Sequence, residues 1–117
     1  MVNHTLALSA TAISIVHAIS FAALTPPLAY VAFLTAGCGT SIWNHATTSE
    51  IAKWADRATM GVGTVLTLLI APSPFFQALM LLTVIAYGAG KYFESTKLHM
   101  LSHALITFIN IGIMASI

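Results

Sequence analysis

Four short interruptions divide this chain, and they fall roughly twenty residues apart, the length of one membrane-crossing helix. Two are proline turns, Thr25-Pro26-Pro27 and Pro72-Ser73-Pro74; the others are polar stretches, one after His45 and one between Lys91 and Lys97. Proline has no N–H to donate and clashes with the preceding turn, so helices stop at such sites. Five segments remain: residues 3–24, 28 to about 46, 48–71, 75 to about 93, and about 97 to 117. Each approaches the length an α-helix needs to cross a hydrocarbon core of ~30 Å. Short runs alternating with a period of two are absent, and in lipid only helices or closed barrels satisfy their own backbones. The expected fold class is all-α: an integral membrane bundle of about five transmembrane helices, one domain over residues 1–117.

Composition supports lipid as the solvent. Of 117 residues, 58% are hydrophobic and 6% charged, whereas a soluble domain carries about a quarter charged residues. The net charge of +1 gives no reason to expect a nucleic-acid partner. Cys38 is alone and cannot form an internal disulfide. The opening stretch MVNHTLALSATAISIVHAISFAAL has no Lys or Arg before its apolar run, so it reads as a retained helix rather than a secretory signal. The sequon Asn3-His4-Thr5 lies against that helix and carries no weight.

The charges give a direction. Glu50, Lys53, Asp56 and Arg57 follow the second segment, and Lys91, Glu94 and Lys97 surround the turn after the fourth. With five alternating spans both groups lie on one side. All Lys and Arg are there, which predicts that this side and the N-terminus are cytoplasmic. Trp43, Trp54 and Tyr92 near that side read as interfacial anchors. Thr47-Thr48-Ser49-Glu50 fits a capping box opening the third helix. Gly61, Gly63, Gly88 and Gly90 read as points of close helix packing.

A few polar residues then stand out. Ser41 and His45 are spaced i, i+4 on the second helix, as are His99 and His103 on the fifth, so each pair shares a helix face. Asp56 lies about two turns into the third helix, at the same end of the bundle. Three imidazoles, a carboxylate and a hydroxyl can therefore converge. Neutral imidazole is a good zinc ligand, and a catalytic zinc keeps three protein ligands and an open position for water. Zinc lowers the pKa of that water to about 7. A carboxylate beside it can take the proton, and a hydroxyl can donate to an oxyanion. Each residue taken alone also has a plainer reading. A membrane His can bridge two helices, Asp56 can pair with Lys53 or Arg57, and Ser41 can bond back onto its own helix. His17 lies deeper than the proposed metal and is expected in a helix contact, while Asn110 continues the stripe of His103 into the interior.

The pattern Ser41-Ile42-Trp43-Asn44-His45, then Asp56, then His99-Met100-Leu101-Ser102-His103 resembles the CREST superfamily. That group includes alkaline ceramidases, hemolysin III proteins, adiponectin- and progestin-type receptors and GPI-remodelling lipases. The resemblance covers the second, third and fifth helices, and HATTSEIAKWAD is its more specific part. It implies that His45, His99 and His103 bind Zn²⁺, with Asp56 and Ser41 as the catalytic groups beside the zinc-bound water. The family core has seven helices where five are read here; losing two between the third and the last preserves sidedness, and self-association into a homo-oligomer would replace the missing wall.

The function expected is a membrane-embedded, zinc-dependent hydrolase of a lipid amide or ester, ceramidase-like, with a membrane lipid as substrate. The alternatives are a zinc-binding membrane sensor or structural protein without turnover, a metal-free scaffold or pore former, and a bis-histidine haem protein using His17 with His99 or His103.

Overall fold

The computed structural model describes residues 2–117. They form five α-helices: α1 (His4–Leu24), α2 (Leu28–Ala46), α3 (Glu50–Ile70), α4 (Pro74–Tyr92) and α5 (Thr96–Ser116), and no strand is present among the described residues. The proline turns end α1 and α3 as expected. Thr25, in a left-handed conformation at φ 45°, closes α1 just before Pro26. Pro74 sits in the first turn of α4, where its missing N–H has no intrahelical partner to lose.

The starts of α1, α3 and α5 are capped by short polar side chains. Asn3 accepts from the Leu6 N–H at 3.0 Å and Ser95 from the Leu98 N–H at 3.3 Å. The capping box expected at Thr47 and Glu50 is not formed. Ser49 is the cap of α3, accepting from the Ala52 N–H at 3.2 Å, and Thr47 turns back to donate to the Trp43 carbonyl at 2.7 Å. Thr47 thus finishes α2 instead of starting α3, because an unpaired carbonyl of the last turn lies within its reach.

The helices form a ring. Each packs on its neighbour in sequence, and α1 closes the circle against α5. That closing pair is parallel, as its contacts show. Asn3 meets Thr96, Ser9 meets His103 and His17 meets Asn110, so residues 93 or 94 apart face each other along the whole length. The Asn3 N–H also donates to the His45 carbonyl at 3.1 Å. The start of α1, the end of α2 and the start of α5 therefore meet at one end of the bundle, and both charged turns lie there.

Polarity is inverted relative to a soluble protein. His17, His45, Asp56, His99, His103 and Asn110 are buried, while Leu8, Ile19, Leu28, Val65, Leu69, Ile85 and Phe108 are exposed. Two helices, α1 and α5, are long and apolar enough to cross a membrane. Asn44 and His45 on α2, the charged first half of α3, and Gln77 and Lys91 on α4 lower the hydropathy of the other three. A small apolar core of Met80, Ile109 and Ile113, backed by Tyr30 and Phe76, fills the end away from the charges.

Glycine has a clear role at Gly90. A Cβ there would stand 3.0 Å from the His99 backbone nitrogen and 3.3 Å from the Ser95 carbonyl oxygen, so α4 meets α5 backbone to backbone. Gly63 faces the Phe33 ring. The expectation fails at Gly61 and Gly88, where an added Cβ would meet open space.

Candidate metal centre

The turn between α4 and α5 sets the first two imidazoles. Ser95 starts α5, and Gly90 lets it approach α4, so His99 lies in the first turn and His103 one turn deeper. His45 comes from the last turn of α2, held by the Asn3 N–H on its carbonyl. All three rings are buried. Ring centroids are 4.8 Å apart for His45 and His99, 4.9 Å for His99 and His103, and 5.4 Å for His45 and His103. One ligand atom from each lies within 4.8 Å of the other two. The cluster could hold a metal ion.

Several details bear on that fit. The His45 Nε2 is buried and has no hydrogen-bond partner. Burying such an atom unpaired has a cost of roughly 1–3 kcal/mol, which an ion would remove. The His103 Nδ1 and the Ser9 Oγ are hydrogen-bonded at 3.0 Å, leaving Nε2 as the free ring nitrogen of His103. Histidine ligands are commonly held this way through the second nitrogen. Three nitrogens on a tetrahedral zinc at about 2.0–2.1 Å would lie roughly 3.4 Å apart, closer than the spacing of up to 4.8 Å found here. On donor type and burial the three residues could hold a metal ion.

Asp56 is buried on α3 and its Oδ2 accepts from the Asn44 side chain at 2.8 Å. Neither basic neighbour forms an ion pair with it; Lys53 pairs with Glu50 at 2.7 Å, and Arg57 packs over the Trp54 ring. Ser41 is half-buried, and among the described residues no side-chain hydrogen bond engages it, so it does not bond back onto α2.

A cavity of about 480 Å³ runs down the middle of the ring and takes walls from all five helices. Asp56, Ser41 and His103 line it together. His45 and His99 stand behind His103 and off the wall. Most of the lining is apolar, including Ile13, Phe33, Leu34, Met80 and Ile106. Further down lies a hydrogen-bonded chain. The His17 Nδ1–H donates to the Ile13 carbonyl at 2.7 Å, the Asn110 amide donates to His17 Nε2 at 3.0 Å, and the Tyr30 hydroxyl donates to Asn110 Oδ1 at 3.5 Å. Both nitrogens of His17 are thus engaged. His17 stands in a contact between α1 and α5, as expected.

Sequence reasoning missed Ser9, Asn44 and Tyr87. Ser9 sits eight residues before His17 on one face of α1, which is the only trace it leaves. Asn44 is masked by its neighbour His45. Tyr87 packs edge-on against His99 with centroids 5.1 Å apart. No family model matches the chain, and neither a curated protein nor a solved structure is similar to it.

Proposed function

We propose that this protein is a five-span membrane bundle that holds Zn²⁺ on His45, His99 and His103 and hydrolyses an amide or ester bond of a lipid. One observation carries the reading: a buried trio of imidazoles stands at the head of a largely apolar cavity whose wall also includes Asp56 and Ser41. The inverted polarity supports five spans, since unpaired apolar side chains on all outer faces suit lipid and buried polar groups need the shared interior. The gathering of all basic residues at one end supports a cytoplasmic site.

Bound zinc would supply a water acidified to a pKa of about 7. The chain supplies the rest. Asp56 takes the proton of the attacking water on the Oδ that Asn44 leaves free, and passes it to the departing nitrogen or oxygen. Ser41 donates a hydrogen bond to the carbonyl oxygen as it gains charge. His103, on the wall, orients the site through Ser9. The apolar lining receives the chain and excludes bulk water.

A second reading has its own support. Of the three histidines only His103 reaches the cavity wall, and an ion held by them would stitch α2 to α5 without any turnover. One experiment separates the two. Zinc content and hydrolysis of a panel of ceramides and acyl lipids are measured on the purified protein and two variants. His103→Ala is expected to lose stoichiometric zinc. Asp56→Asn is expected to keep zinc and lose about 10²-fold or more of the hydrolysis, the scale of a lost general base. Full zinc in His103→Ala sinks the ligand assignment. Zinc without any lipid cleavage in the parent leaves the stitching role.

A further inference from the structure

The cavity has a cationic rim that hydrolysis as described leaves unused. Arg57 on α3 and Lys91 on α4 both line it, beside Asp56 and Tyr87. Neither has a carboxylate partner; the ion pair among the described residues is Lys53 with Glu50, on the outside. Arg57 lies over the Trp54 ring at 5.0 Å, and the Lys91 Nζ over the Tyr87 ring at 5.6 Å. The two cations and the Asp56 carboxylate are near enough for their charges to act on one another. Like charges at one opening of an apolar cavity repel, and an anion placed between them removes that repulsion.

A basic residue meant only for bulk headgroups needs merely to extend outward along its stem. Lys97, exposed in the first turn of α5, is so placed; Lys91 is exposed as well, but it lines the cavity. Arg57 differs. It is half-buried, seven residues into α3, about 10 Å from the helix start at 1.5 Å per residue. That is the depth of Asp56 and His103. Asp56 forms no ion pair with it and offsets one positive charge of the two, so the rim keeps a net positive charge. A guanidinium also presents a planar fork of donors that matches two oxygens of one phosphate or carboxylate.

We propose that Arg57 and Lys91 bind the anionic head of a single-chain amphiphile whose chain lies in the central cavity. The volume of about 480 Å³ suits one chain. The proposal rests on the cavity being the ligand site of the function above, and it narrows the substrate to lipids with a phosphate or carboxylate near the scissile bond.

Binding of dodecyl phosphate, dodecanol and inorganic phosphate to the detergent-solubilised protein tests it. None has an acyl bond to cleave, so the result does not depend on turnover. Dodecyl phosphate is expected to bind about tenfold or more tightly than dodecanol, the scale of one charge-assisted hydrogen bond. The Arg57→Gln/Lys91→Gln double variant should lose this preference and keep dodecanol binding. Arg57→Lys should restore part of it, which excludes a folding defect, and Lys53→Gln should change nothing. His99→Ala should keep the preference; its loss there would move the anion from the basic pair to the metal and overturn the assignment. Equal binding of dodecanol and dodecyl phosphate overturns it too, as does a preference that survives in the double variant. Inorganic phosphate displacing dodecyl phosphate at equal concentration would make free phosphate the ligand and remove the lipid.

Discussion

Ser9 shows how a small residue can govern a site. Its hydroxyl meets His103 Nδ1 at 3.0 Å. With Nε2 on an ion, Nδ1 carries the proton and Ser9 accepts it, which fixes tautomer and ring angle together. Ser9→Ala is therefore expected to weaken zinc binding by about 10- to 100-fold with helicity unchanged, measured by competition with a chelator of known affinity. Unaltered affinity would mean that packing alone orients His103. The histidines themselves were legible because a polar side chain in apolar sequence has few reasons to be there, and i, i+4 spacing put pairs on one face. Ser9 and Asn44 were not legible. Each acts on a residue of another helix, and no local pattern states which α1 residue meets which α5 residue.

Helix ends were readable to within a few residues, since Pro26, Pro27 and Pro72 stop a helix by covalent geometry alone. The start of α3 was harder. Thr47 and Ser49 are both good caps, and the choice depends on Thr47 being taken by the Trp43 carbonyl. Close approach was readable only by chance: Gly90 touches α5, whereas Gly61 and Gly88 face open space. At Gly90 the neighbours are backbone atoms of Ser95 and His99, which cannot swing aside as a side chain can. Gly90→Val should thus separate α4 from α5 and displace His99. The expected outcome is a lower melting temperature, a cost of about 1–3 kcal/mol as for overpacking, together with weaker zinc binding. Gly88→Val should leave both unchanged. A Gly90→Val protein matching the parent in both would show that the crossing is not tight.

Across the whole molecule, the number of helices and the end that carries the charges followed from sequence, while the ring did not. Neighbouring helices joined by tight turns were expected; the α1–α5 closure depends on long-range contacts no window of sequence contains. The proposed five spans would place the two ends of the chain on opposite faces of the membrane. With Cys38→Ser as background, His4→Cys and Ile117→Cys are expected to react with a membrane-impermeant thiol reagent from opposite sides of sealed vesicles. Labelling of both from one side would require an even number of crossings and would undo the proposed orientation.

The parallel α1–α5 pair also dictates an order of assembly. Every other seam in the ring joins helices linked by a short turn, and such contacts can form as soon as the second member exists. The closing seam joins residues 93 or 94 apart, and its partner is the last helix to be synthesised. Until then Asn3, Ser9 and His17 wait without Thr96, His103 and Asn110, the α5 groups they bond to. Contacts this distant in sequence are slow to form. A ribosome-bound intermediate stalled before α5 would be an open arc with its polar face uncovered, and the arrival of His99 and His103 would complete both the fold and the histidine cluster in one event.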